Sequence, residues 1–296
     1  MTSETVDVVR GATPRPSPPT SRSPLQRTLL RVPLYLVLIV FALFVLVPVY
    51  LMVVTSLKPP EEALLSQMWQ LPTELSIAAW ESAFAALQPY LINSFRLAIP
   101  ATILSAVLGS LNGYVFAKWR FPGSEWVFNG LLFGLFIPYQ IVLIPLVVTM
   151  QNVGLYNTIT GLVLVHAIYG IPITTLIFRN FYARIPQEVL DAGKVDGAGV
   201  FQLYRRIALP LSLPGFVVVG IWQFTQIWNE FLWAVTLTSA GQRPVMVALQ
   251  NISGAQIVEW NVQMAAALQA ALPTLIVYVL LGRYFVRGLL AGALKE

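Results

Sequence analysis

The chain of 296 residues is 57% hydrophobic, only 10% charged and free of cysteine. Such a composition describes a polytopic membrane protein, and the lack of cysteine excludes disulfides, thiol catalysis and thiolate metal sites. The formal net charge of +5 gives no support to nucleic-acid binding, because the basic residues are distributed as membrane topology requires.

Residues 1–31 are rich in Pro, Ser, Thr and Arg. They cannot bury enough apolar surface to fold alone, so a disordered tail is expected. No small-residue cleavage site stands out, and the apolar run that follows is too long for a signal peptide. A membrane span needs about 20 predominantly apolar residues. Six segments qualify: 33–57, 94–117, 126–150, 157–179, 211–237 and 265–286. The expected fold class is all-α, with residues 32–296 as one transmembrane domain of six helices.

Between the first two segments, 57–93 carries Glu61, Glu62, Glu74 and Glu81, punctuated by Pro59, Pro60, Pro72 and Pro89. It reads as an outer loop with short interfacial helices around Ala78–Leu87. Gly109-x-x-x-Gly113 and Gly130-x-x-x-Gly134 permit close approach of neighbouring helices. His166, the only histidine, falls inside the fourth span, where a helix–helix hydrogen bond is the expected role.

Orientation follows from Lys and Arg. The N-terminal tail has Arg10, Arg15, Arg22, Arg27 and Arg31; the loop after the second span has Lys118 and Arg120. The loop after the fourth has Arg179, Arg184, Lys194, Arg205 and Arg206, and the C-terminal end has Arg283, Arg287 and Lys295. The opposite side has only Lys58 and Arg243, with Arg96 at the outer end of the second span. This asymmetry places both termini and the 186–210 loop in the cytoplasm.

The 186–210 loop holds more pattern than its neighbours. Pro186 suits a helix start, and Glu188 and Asp191 place negative charge near it, where the macrodipole favours it. Asp196-Gly197 is a turn dipeptide, and Gly197 is expected to take a positive φ. Val200 to Ala208 then restarts an apolar periodicity, with Phe201, Tyr204 and Ile207 on roughly one face, limited by Pro210 and Pro214. Two short helices joined by a turn, projecting from a membrane protein, make a docking element for another protein. Catalytic chemistry is nearly absent: there is no phosphate-binding loop, carboxylate pair or H-E-x-x-H motif.

At this loop the chain resembles a known family. Asp191-Ala192-Gly193, three residues, Gly197, nine residues and Ile207-Ala208-Leu209-Pro210 are similar to the EAA loop of ABC importer permeases, E-A-A-x3-G-x9-I-x-L-P. Asp191 stands where the family has Glu, and Gly193 where it has the second Ala; Gly193 loosens the helix by roughly 1 kcal/mol. Asp196-Gly197-Ala198 and Phe201 resemble the carbohydrate branch. So do Ile137-Pro138, Ile144-Pro145-Leu146, Gly154-Leu155, Asn157-Thr158, Trp228-Asn229-Glu230-Phe231 and the ending Gly288-Leu289-Leu290-Ala291-Gly292, which looks like the tail of the maltose-type, six-span permease.

The resemblance implies a division of labour. This subunit would pair with a second, different permease in the bacterial or archaeal cytoplasmic membrane. Two cytoplasmic ATPase subunits would bind ATP and Mg, so this chain would hold no cofactor and catalyse no reaction itself. An extracytoplasmic sugar-binding protein would deliver substrate. The 186–210 loop would be the coupling helix, with Phe201 and Tyr204 as apolar anchors in an ATPase groove. The same aromatic residues also suit packing on this chain's own span ends.

For the pathway, a rise of about 1.5 Å per residue from Pro214 puts Gln223 and Gln226 roughly 14 and 18 Å up a core about 30 Å thick. Glu230 lies roughly 24 Å up, close enough to reach outer water. Gln223, Gln226 and Glu230 read as one face, with Trp222, Trp228 and Trp233 around it and Asn229 beside it. Amides and aromatic planes suit a sugar, and a monosaccharide such as glucose or mannose is the expected class. Equally, Gln side chains join helices and Trp residues form an interfacial belt. An ABC permease for a non-sugar solute keeps the same mechanism. A secondary transporter would need coupling charges in mid-membrane, and a membrane enzyme would need a catalytic constellation.

Overall fold

The computed structural model describes residues 24–119, 121–253 and 259–293. Most of the expected tail lies outside them. Two compact units are present, one ending at Tyr50 and the other beginning at Leu51. Every regular element among the described residues is helical.

Helix α1 (Pro24–Ser56) contains an apolar stretch from Arg31 long enough to cross a bilayer. Helix α2 (Ala78–Lys118) is 41 residues long. The expected interfacial helices around Ala78–Leu87 are therefore its first turns. Nothing interrupts them: Ala is the best helix former, and Ala79, Ala83 and Leu87, one turn apart, are all buried.

The expected span 126–150 is not one helix. Helix α3 (Ser124–Phe133) tightens into a 3-10 turn at Gly134–Phe136, and α4 starts only at Leu143, running to Asn152. The break has a local cause. Ile137 precedes Pro138 and takes extended backbone, φ −77° and ψ 116°, because a following proline disfavours the helical region. Apolar composition alone does not register such a break.

Helix α5 (Ile159–Ala183) is capped by Thr158, whose Oγ1 accepts the Gly161 N–H at 2.9 Å. Before it, Asn157 takes φ +59°, and its Oδ1 accepts the Ser239 N–H at 2.7 Å. The Asn157-Thr158 pair thus combines a turn residue with a helix cap.

Beyond α5 come α6 (Gln187–Val195) and α7 (Val200–Leu203), a π-helical turn (Tyr204–Ala208) and α8 (Leu209–Leu211). Helix α9 (Leu213–Trp228) follows after a 74° bend at Ser212. Pro210 and Pro214 flank that bend and remove two backbone donors from it. The expected span 211–237 stops at Trp228, and a separate α10 (Leu232–Leu237) resumes three residues later. Helices α11 (Val245–Ser253) and α12 (Trp260–Ala293) complete the order. Among the described residues α1, α2, α5 and α12 are long and apolar enough to cross a membrane, and the bent pair makes five. The expected span 126–150 is the interrupted α3–α4 segment, which has no helix long enough to cross, so six spans are not found among the described residues.

The tightest seam joins α2 to α5. A Cβ at Gly109 would lie 2.1 Å from Thr174 Oγ1, and one at Gly113 would lie 2.6 Å from Phe178 Cβ. The missing side chains allow the two backbones to approach, as the spacing predicts. Thr174 Oγ1 lies 3.0 Å from the Ser105 carbonyl across the seam, as well as 2.9 Å from the Gly170 carbonyl of its own helix. Gly130 and Gly134 behave otherwise, since a Cβ at either meets nothing within 4 Å.

Candidate coupling element and pathway face

Residues 186–210 form the two-helix element that the sequence predicts. Helix α6 ends in a Schellman cap. Gly197 takes φ +80°, its N–H reaches the Lys194 carbonyl at 2.9 Å, and the Ala198 N–H reaches the Gly193 carbonyl at 3.0 Å. Such a cap satisfies carbonyls that a helix end leaves free, and only glycine adopts the turn without strain.

The inner face of α6 carries Leu190, which is buried, and Gly193. A Cβ at Gly193 would stand 2.6 Å from Leu203 Cδ2 and 3.2 Å from Ile207 Cδ1. This departure from the family's Ala therefore seats α6 closely on the following segment. Lys118 Nζ donates to the Ile185 carbonyl at 2.6 Å and ties the element's entry to the end of α2.

The outer face carries Glu188, Asp191, Ala192 and Asp196, all exposed. Asp191 accepts from Lys194 Nζ at 2.8 Å and from Gln187 Nε2 at 3.2 Å. These two donors, Lys194 foremost, hold its carboxyl below the usual carboxylate range. Between the charges runs an apolar line. Val189, Ala192 and Val195 are spaced three apart and exposed, Val195 at 88%. Phe201, on α7, is exposed at 67%.

Tyr204 does not belong to that surface. It is 6% exposed, and its hydroxyl lies 2.9 Å from Ser110 Oγ on α2. Its ring packs 5.3 Å from that of Tyr114. A phenol hydroxyl near an apolar core seeks a partner, so Tyr204 turns inward while Phe201, three residues earlier, stays out. Val189 and Val195, overlooked beside the aromatic pair, supply the remaining apolar surface. Their spacing with Ala192 was the available signal.

The expected pathway residues divide. Gln223 is buried and donates to Ser105 Oγ at 3.0 Å. It joins α9 to α2 and does not share a face with Gln226, which is exposed. Trp222, Gln226 and Asn229 instead form an exposed line at the i, i+4, i+7 spacing of one helix face. Trp228 and Trp233 are core residues, the former donating to the Ala270 carbonyl at 2.9 Å.

Glu230 is only 17% exposed and accepts the N–H groups of Trp233 at 2.7 Å and Ala234 at 3.1 Å. It caps α10 and is no free carboxylate in outer water. The depth count assumed an unbroken helix, and the break at 229–231 creates the unpaired donors it serves. His166 Nε2 has no hydrogen-bond partner, and Glu230 Oε2 lies 3.8 Å from it. At that distance the expected bond from this nitrogen is not made. Its ring packs 5.0 Å from that of Trp233.

Residues 106–290 match the family described as the binding-protein-dependent transport system inner membrane component. The chain is 44% identical over 264 residues to a probable ABC transporter permease protein of Pyrococcus horikoshii, covering 88% of this chain and 96% of that one. It is 35% identical over 283 residues to the xylose/arabinose import permease protein of Haloferax volcanii, covering 88% and 92%. In structure it is similar to a bacterial ABC transporter involved in the import of the acidic polysaccharide alginate. That likeness has a TM-score of 0.80 at 19% identity, covering 90% of this chain and 100% of the other. At such identity it speaks for the fold alone.

Proposed function

The chain belongs to the binding-protein-dependent transport system inner membrane components, and on that premise we propose that it is the permease subunit of an ATP-driven sugar importer. The observation that carries the reading is the capped element at 186–210. It exposes Val189, Ala192 and Val195 on α6 and Phe201 on α7, while Leu190, Leu203 and Tyr204 are buried. A short amphipathic helix with exposed apolar residues is what a groove on a partner receives. Burying Phe201 there contributes about 1.5–3 kcal/mol, enough for one side chain to matter to docking.

The partner is a cytoplasmic ATPase, two copies of which carry ATP and Mg; this chain binds neither. The Lys and Arg distribution supports a multi-pass protein with both termini and the coupling element in the cytoplasm. A second permease completes the pathway, and a sugar-binding protein docks on the opposite side. Closure of the ATPase pair moves the groove, and the seated element passes that motion to the helices as rigid-body alternating access.

Trp222, Gln226 and Asn229 are this subunit's share of the pathway. Polar side chains on an intramembrane face turn to protein or to a water-filled cavity. Amide groups beside an aromatic plane suit a sugar's hydroxyls and its apolar ring face. The xylose/arabinose permease that the chain resembles supports a small sugar as the substrate.

Two variants test the reading. A cysteine at Lys194, in this cysteine-free chain, resists an impermeant thiol reagent in intact cells and reacts after permeabilisation. Phe201→Asp releases the ATPase from the purified complex and abolishes uptake of radiolabelled xylose and glucose, while insertion and pairing with the second permease persist. Ready labelling in intact cells, or normal uptake with Phe201→Asp, overturns the coupling role.

A further inference from the structure

Four buried hydroxyls tie the coupling element to the helices above it. Ser212 Oγ donates to the Leu209 carbonyl at 2.9 Å. Its single proton is then spent, so Tyr182, 3.0 Å away, must donate to it. The Tyr182 proton is spent in turn, so Ser110 donates to Tyr182 at 2.5 Å and accepts from Tyr204 at 2.9 Å. The result is one directed chain, Tyr204 to Ser110 to Tyr182 to Ser212 to the Leu209 carbonyl. All four residues are buried, where linked hydrogen bonds strengthen one another.

The path of the chain gives it a purpose. It leaves the segment at Tyr204, crosses α2 at Ser110 and α5 at Tyr182, and returns at Ser212. Between its two ends lie the π-helical turn and the start of the 74° bend. The bend keeps the Ser212 N–H bond to the Ala208 carbonyl at 3.0 Å, but Pro210 within the stretch and Pro214 just beyond it each lack an N–H donor. π turns recur at functional positions for the same reason, a loosened local ladder. The hydroxyl chain replaces the stiffness that the backbone there gives up.

We propose that Tyr204, Ser110, Tyr182 and Ser212 form a clamp that makes the coupling element, the ends of α2 and α5, and the bend into α9 move as one body. They are positioning residues: none touches substrate or nucleotide. Without the clamp, a push on α6 and α7 is absorbed by rotation at Ser212. With it, the push reaches α9 and the Trp222–Gln226–Asn229 face. The inference rests on the docking role proposed above for residues 186–210.

The test measures motion within this one chain, in the complete complex with its second permease and ATPases. Spin labels go on cysteines at Gln202, exposed on α7, and Val107, exposed on α2. The expected wild-type result is one narrow distance, unchanged between the nucleotide-free complex and the complex trapped with ATP and vanadate. In Tyr204→Phe and Ser212→Ala the distribution broadens and shifts between the two states. ATP hydrolysed per radiolabelled xylose or glucose imported rises several-fold in both. Ser212→Thr, which keeps the hydroxyl, behaves as wild type.

A purely structural role lowers yield and thermal stability but leaves distance and coupling ratio unchanged, and that result overturns the proposal. So does a wild-type distance that changes between the two states. If Tyr204→Phe fails to assemble, the Ser212→Ala and Ser212→Thr pair decides alone. Failure of the docking role looks different: the wild-type complex then purifies without its ATPase.

Discussion

Replacing Gly113 by Ala adds one methyl group to the seam between α2 and α5. Its Cβ would stand 2.6 Å from Phe178 Cβ, 2.7 Å from the Arg179 nitrogen and 2.9 Å from the Phe178 carbonyl carbon. Optimal carbon contacts lie near 3.5–4.0 Å, so the two helices must part by about 1 Å. Two of the three atoms are backbone, so no side-chain rotation relieves the clash. Overpacking of this kind costs about 1–3 kcal/mol. The better helix propensity of Ala returns roughly 1 kcal/mol. The net expectation is a loss of up to about 2 kcal/mol, or an apparent melting midpoint lower by up to about 8 °C. Gly130→Ala is the control, because nothing lies within 4 Å of its Cβ; its midpoint stays level or rises. Thermal challenge of the detergent-solubilised complex, followed by size exclusion, reads both. Equal responses from the two glycines would refute the view that α2 and α5 are held by backbone proximity.

Gln223→Leu removes a buried bond to Ser105 and lowers complex stability by about 1–2 kcal/mol, with uptake falling only as far as complex yield falls. Gln226→Leu combined with Asn229→Leu leaves yield intact but reduces uptake of radiolabelled xylose or glucose roughly tenfold, the effect of about one lost hydrogen bond; unchanged uptake removes this face from the pathway. Glu230→Ala strips the cap from α10 and costs about 1–2 kcal/mol in thermal stability, whereas Glu230→Gln, which keeps one acceptor, costs less. Gly197→Ala meets no neighbour within 4 Å but forces a side chain to φ +80°, costing about 1–2 kcal/mol; ATPase retention on the purified complex falls with Ala and further with Val.

The two-helix element at 186–210 was legible because it lies outside the apolar segments. There, ordinary rules of capping and turns apply: Pro186 immediately precedes a helix, and Gly197 ends it with a positive φ. The Gly109 and Gly113 seam was legible for a similar reason, since small residues one turn apart have one main use between membrane helices. Inside the spans the signal fades. Both lipid and protein core are apolar, so hydropathy does not separate the inward face of α9 from its outward face. Gln223 and Gln226 look alike in sequence, yet one is glue and the other is exposed. Phe201 and Tyr204 differ by one hydroxyl, and that hydroxyl's partner, Ser110, lies 94 residues away.

Helix interruptions were the larger omission, and they are where this chain departs most from a plain bundle. Three breaks matter: 134–142 between α3 and α4, Ser212 between Pro210 and Pro214, and 229–231 before α10. Each leaves backbone groups that a continuous helix would have paired, and each must be repaired by something nearby. At 229–231 the repair is Glu230, whose carboxylate takes two N–H groups of the next helix. At Ser212 it is the hydroxyl chain that begins at Tyr204. Side chains that look functional in sequence, the Glu230 carboxylate and the Tyr204 phenol, are thus explained first by the backbone they complete. Their bearing on transport follows from that repair. A joint that combines two proline gaps with side-chain bracing loosens when one hydroxyl is removed, and on the docking role proposed above that is where a push would be passed on or lost.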